Sequence, residues 1–119
     1  MITQQFLDRF EASLLKAYNR YHRQGAMELK QSVPEFMKTA NAREDFLQRF
    51  MTTFAEQNQV LSEEVARGGH HDPAKIVDQI HLLVRNKMAA VDFGKAVPEE
   101  KAFRKAILEL KTEIRRTFY

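Results

Sequence analysis

The sequence predicts an all-α domain: an antiparallel bundle of four long amphipathic helices with one further short helix. Three observations predict it. Apolar residues recur every three or four positions along nearly the whole chain, which is the spacing of a helix face. The glycines and prolines fall between those runs or in their first turns. No stretch alternates with the period of two that a half-buried strand shows.

The first run carries Phe6, Phe10, Leu14, Ala17 and Tyr21 on one stripe, with Leu7 and Tyr18 beside it, and is expected to end at Gly25. "SVPEF" then supplies Ser32 as an N-cap, Glu35 to complete a capping box, and Pro34 in the first turn. A short helix over 34–39 follows. "NARED" repeats this logic with Asn41 and Glu44, opening a long helix through Phe46, Phe50, Phe54, Leu61 and Val65. Gly68 and Gly69 suit its left-handed C-cap. Asp72 and Pro73 then form a cap and first helical position. They lead into Ile76, Val77, Ile80, Leu83, Val84, Met88 and Val91, and Gly94 stops this run. Pro98, Glu99 and Glu100 open the last helix, whose stripe is Phe103, Ile107, Leu110, Ile114 and Phe118.

At 119 residues the chain reads as one domain spanning 1–119, large enough to bury a core without a metal or disulfide staple. Hydrophobic residues are 44 % and charged residues 29 %, a globular balance rather than a disordered one. There is no cysteine. This removes zinc–cysteine sites, iron–sulfur clusters and thiol nucleophiles, and it fits a reducing, cytoplasmic setting. "MITQQFLDRFEASLL" is expected to be neither a signal peptide nor a membrane start, and no apolar run nears the roughly 20 residues of a span.

The conspicuous chemistry is "GGHHDP". Its residues are accounted for by helix punctuation: two glycines to end one helix, and Asp72–Pro73 to start the next. Adjacent histidines point apart, whereas a metal needs converging ligands such as a pair at i and i+4. No metal or other cofactor is expected. His81, beside Val77 and Val84, is expected to be a boundary residue hydrogen-bonded to Asp78 rather than a general base. No Gly-rich phosphate loop, nucleophile elbow or Glu-x-x-His pair is present. Glu63–Glu64 and Glu99–Glu100 are adjacent and diverge. An enzyme is not expected. The phenylalanine stripe reads as core rather than a ligand pocket, with Tyr18 and Tyr21 burying their rings and keeping hydroxyls at a wet edge.

Charge is distributed unevenly. Arg9, Lys16, Arg20 and Arg23 project within roughly 60°, nearly opposite the first helix's apolar stripe. Lys101, Arg104, Lys105, Lys111, Arg115 and Arg116 span roughly 140° of the last helix, away from Phe103–Phe118. Residues 26–67 instead hold seven acids against five bases. Pairs such as Asp45–Arg49, Glu63–Arg67 and Lys105–Glu109 are expected to solvate the helix faces. Leu108 falls within the basic face of the last helix, Leu82 lies opposite its own stripe, and Lys87 is expected to snorkel from an apolar one.

The reading is a small, non-enzymatic subunit or adapter that contacts a DNA or RNA backbone without reading sequence. Its candidate contacts are Arg9, Lys16, Arg20, Arg23, Arg104, Lys105, Lys111 and Arg115. The alternative is a protein–protein adapter or self-associating bundle meeting an acidic partner, with Leu108 and Phe118 as contact residues. No membrane partner and no small-molecule substrate are expected. A helix-turn-helix over 89–103 is rejected, because Glu99 and Glu100 would meet the phosphates.

Overall fold

The computed structural model describes residues 2–39, 43–69, 71–90 and 100–118, with side chains over 37–45 left undescribed. It is all-α. The helices are α1 (Gln4–Glu28), α2 (Val33–Thr39), α3 (Arg43–Ala55), α4 (Asn58–Arg67), α5 (Pro73–Ala90) and α6 (Glu100–Phe118). At about 1.5 Å per residue, α1 runs most of the 46 Å long axis of the molecule. It packs on α2, α3, α4 and α6, while α5 packs on α3, α4 and α6.

The contacts fix local direction. Glu28 meets Arg49 at 2.8 Å and Arg20 meets Glu56 at 2.7 Å, so α1 and α3 run antiparallel. Gln4 meets Arg115, Glu11 meets Lys111, and Tyr18 stacks on Phe103 at 4.2 Å, so α1 and α6 do too. Between these helices lie Phe6, Phe10, Phe46, Phe50, Phe54 and Phe103, each at most 1 % exposed. Phe10 meets Phe54 edge-on at 6.0 Å, and Phe50 meets Phe103 the same way at 5.6 Å. The phenylalanine stripe is core. Tyr18 and Tyr21 are buried further than expected, at 3 % and 2 % exposed, which leaves their hydroxyls little water.

The helix starts follow local chemistry. Ser32 Oγ accepts from the Glu35 amide at 3.3 Å, and Asp72 Oδ1 accepts from the Lys75 amide at 3.2 Å. Thr3 does the same for α1, accepting from the Phe6 amide at 3.0 Å. The expectations for Asn41, His70, Val91, Gly94, Pro98 and Glu99, and for the side chains of Glu44 and Asp45, lie outside what is described.

Three boundaries differ from expectation. First, Gly25 does not end α1, which continues to Glu28. The glycine is a notch for the Phe36 ring, and the stop comes at Lys30, which takes φ 55°. Its amide donates to Met27 O at 3.2 Å and the Gln31 amide to Ala26 O at 2.9 Å, a Schellman closure on a non-glycine residue. Second, the long helix expected over 43–67 is broken after Ala55, making six helices among the described residues rather than four long and one short. The Glu56 and Gln57 amides donate to Thr53 O and Phe54 O, three residues back, a tightening that redirects the chain. The break lets α3 lie mainly along α1 while α4 lies mainly along α5. Third, Gly68 keeps φ −77° and Gly69 alone crosses to φ 90°.

Candidate polyanion-docking faces

On α1, Arg9, Lys16 and Arg23 are exposed, as their place opposite the apolar stripe requires. Arg20 is not free: its guanidinium donates to Glu56 at the α3–α4 break, at 2.7 Å. On α6, Lys101, Arg104, Lys105, Arg115 and Arg116 are exposed. Arg104 pairs with Glu100 one turn back, at 3.0 Å, an exposed pair that water screens and another anion can displace. Arg115 donates to Gln4 Oε1 at 2.6 Å and stays exposed. Lys111 is drawn into the α1–α6 seam, where its side chain is 16 % exposed and bonds Glu11 at 3.1 Å. Of the eight expected contacts, then, Arg20 and Lys111 help assemble the fold, and the other six remain at the surface.

The outer face of α6 stays basic although the helix holds three exposed acids: Glu100 pairs with Arg104, Glu113 stands at the edge of the basic arc, and Glu109 reaches across to α5. Glu109 turns onto Lys87 of α5. The hydrogen bond from Lys87, and then its charge, hold the Glu109 carboxyl below its usual range, with Lys105 adding a smaller pull. This corrects the expected Lys105–Glu109 pair and explains Lys87: it leaves its apolar stripe to reach a carboxylate on the next helix. The expected Glu63–Arg67 pair also fails. Arg67 instead bonds Glu64 at 2.5 Å, so the buried carboxylate gains the partner it needs. Arg49 donates to Glu28 across the α1–α3 seam.

Leu108 stands 60 % exposed among these cations. With Lys101, Ala102, Arg104 and Lys105 it lines a shallow hollow of about 560 Å³. Leu82 is similarly exposed on α5, whereas Phe118 is half-buried against the core.

His22, which drew little notice in the sequence, is 2 % exposed between Tyr18, Tyr21 and Phe36. Its Nδ1 lies 2.8 Å from Tyr18 O, and its Nε2 is buried without a partner. Burial pushes its pKa down, against a smaller upward pull from the Tyr18 hydrogen bond. The available signal was its position one turn after Tyr18, inside the apolar arc. His81 does not bond Asp78: its Nδ1 is buried without a partner, beside the Phe54 ring at 5.7 Å. Burial lowers its pKa, Asp78 raises it and Arg85 lowers it. His81 lines a second cleft, of about 570 Å³, with Leu47, Gln48, Met51 and Arg85. His71 is exposed. Among the described residues no three His, Asp or Glu side chains come together as metal ligands.

Compared with known proteins, the chain matches no family model, no curated protein and no solved structure. Among the described residues no helix is long and apolar enough to cross a membrane.

Proposed function

We propose that this chain is a small, non-enzymatic helical subunit or adapter of a nucleoprotein assembly that rests on a nucleic-acid backbone without reading sequence. One observation carries the reading: α6 presents five exposed cations against three acids, of which Glu109 is engaged by Lys87 and Glu100 by Arg104. Arg9, Lys16 and Arg23 add a second row of exposed cations on α1, the antiparallel neighbour. Phosphate spacing suits cations distributed along a helix, and a backbone contact needs no base-edge geometry. The scaffold is read as an antiparallel bundle, with α1, the bent α3–α4 pair, α5 and α6 as its arms and α2 as the added short helix. The registers of α1 against α3 and α6 support that reading. A cytoplasmic setting fits a chain without cysteine.

The test is binding to labelled random-sequence DNA and RNA, single- and double-stranded. Five phosphate contacts imply an affinity loss of about two to three orders of magnitude between about 50 and 200 mM salt. No binding at the lower salt would exclude direct backbone contact by this chain. Leu108 and its hollow favour a second reading, in which the α6 face receives an acidic, amphipathic helix of a partner protein. In that case Leu108→Asp abolishes partner binding, whereas a nucleic-acid contact loses only a modest electrostatic share.

A further inference from the structure

The cleft beside His22 has a chemistry that backbone docking does not use. Its described lining comes from α1 (Lys16, Tyr18, Asn19, His22 and Arg23), from Val33 opening α2 and from Glu100 opening α6, around about 580 Å³. Lys16 and Arg23 stand two turns apart on α1 and make no ion pair with another described residue. Glu100, the acid in this lining, is engaged by Arg104. His22 completes the wall, with an Nε2 that is buried and without a partner.

The contacts determine where the imidazole hydrogen sits. A carbonyl oxygen only accepts, so Nδ1 carries the hydrogen and donates it to Tyr18 O. Burial disfavours a second proton on the ring. Nε2 is therefore a lone pair in the wall of a cleft that Lys16 and Arg23 also line. Lys16 and Arg23 would repel a metal ion there. Sulfate or a carboxylate would satisfy the cations but present only acceptors to Nε2. A phosphate monoester satisfies both, because its second pKa of about 6 leaves a P–OH within easy reach at neutral pH. A phosphodiester of a nucleic-acid backbone has no such hydroxyl.

We propose that this cleft binds a phosphate monoester group, with Lys16 and Arg23 on its charged oxygens and its P–OH donated to His22 Nε2. A small rotation of the imidazole, or of Asn19 beside it, brings the ligand oxygen to the shielded nitrogen. The site departs from the expectation of no small ligand. It shares Lys16 and Arg23 with the docking face but is tested apart from it, since a chain that ignores random-sequence nucleic acid can still take inorganic phosphate. The group belongs either to a free small phosphate or to the end of a phosphorylated strand.

The experiment is titration of the whole chain with inorganic phosphate at neutral pH, following the ¹⁵N resonance of His22 Nε2, with sulfate as comparator. The expected result is a saturable shift, at least about tenfold weaker affinity for sulfate, and about tenfold loss in each of Lys16→Ala and Arg23→Ala. Both substitutions lie on an exposed face, so the fold is retained. Oligonucleotides with a 5′-phosphate or a 5′-hydroxyl separate the sources. Tighter binding of the phosphorylated end than of inorganic phosphate assigns the site to strand termini, and equal binding assigns it to a small phosphate. No saturable shift at Nε2, equal affinity for sulfate, or unchanged affinity in the Lys16→Ala/Arg23→Ala double variant would overturn the proposal.

Discussion

The Phe36 ring occupies the space that a side chain on Gly25 would need: a Cβ there would lie 2.1 Å from Phe36 Cζ and 2.5 Å from Cε2. Phe36 is 5 % exposed and held by Tyr21 and His22, so the ring has no easy retreat. Gly25→Ala should therefore lower stability by about 1–3 kcal/mol through overpacking, although alanine is the better helix former by about 1 kcal/mol. Urea denaturation measures this. In a double-mutant cycle with Phe36→Ala the penalty should vanish, and a penalty that persists would refute the notch.

Lys30 holds a left-handed conformation for which glycine is built. Relieving it with Lys30→Gly should raise stability by about 0.5–1 kcal/mol, allowing for the added freedom of the unfolded chain. Lys30→Ala, which keeps the strain, should leave the thermal midpoint nearly unchanged. Equal midpoints for all three chains would contradict the closure of α1 described above.

Buried His22 and half-buried His81 set an acid limit. Both have pKa values lowered in the fold, mainly by burial, so the unfolded chain binds more protons as pH falls. Stability is then fully present above the unfolded value of about 6.5 and declines as pH drops through the folded values. Glu109, whose carboxyl is also lowered, contributes above its unfolded value of about 4.5 and weakens only in more acid solution. The urea midpoint should fall between pH 7 and pH 5, and a flat profile there would remove the histidines from the account.

The cations divide into two groups that reversal of charge can separate. Lys105→Glu and Arg116→Glu should weaken polyanion binding while leaving the melting curve nearly unchanged. Lys111→Glu should cost about 1 kcal/mol or more of stability, because it sets two carboxylates against each other at the α1–α6 seam. Calorimetry and a binding titration on the same three variants test both halves of the division.

Much of this architecture was legible because a helix announces itself by period. Phe6, Phe10, Leu14 and Phe103, Ile107, Leu110 needed nothing beyond their spacing, and Ser32 and Asp72 nothing beyond their side-chain oxygens. What could not be read depended on distant partners. Gly25 looked like a terminator because Phe36, eleven residues on, was not yet placed against it. The break after Ala55 has neither glycine nor proline to mark it, and follows from α3 and α4 serving different neighbours. The exposure of Leu108 and Lys105 followed from their helix face. The choice of Arg20 and Lys111 as struts, and of Lys87 as the partner of Glu109, belongs to helices meeting across the fold.

The hydrogen bond from Arg115 to Gln4 joins residues 111 positions apart. Closing a loop of that length costs about 4 kcal/mol of chain entropy before any contact repays it, so α6 should dock on α1 after the intervening helices have collapsed. Phe103→Leu would then speed unfolding and leave the refolding rate almost unaltered, and a matching slowdown in refolding would place α6 in the nucleus instead. Late docking has a consequence for recognition. The exposed cations of α1 and α6 are held in a fixed arrangement only in the finished protein, so a nascent or partly unfolded chain carries the same charges without that arrangement.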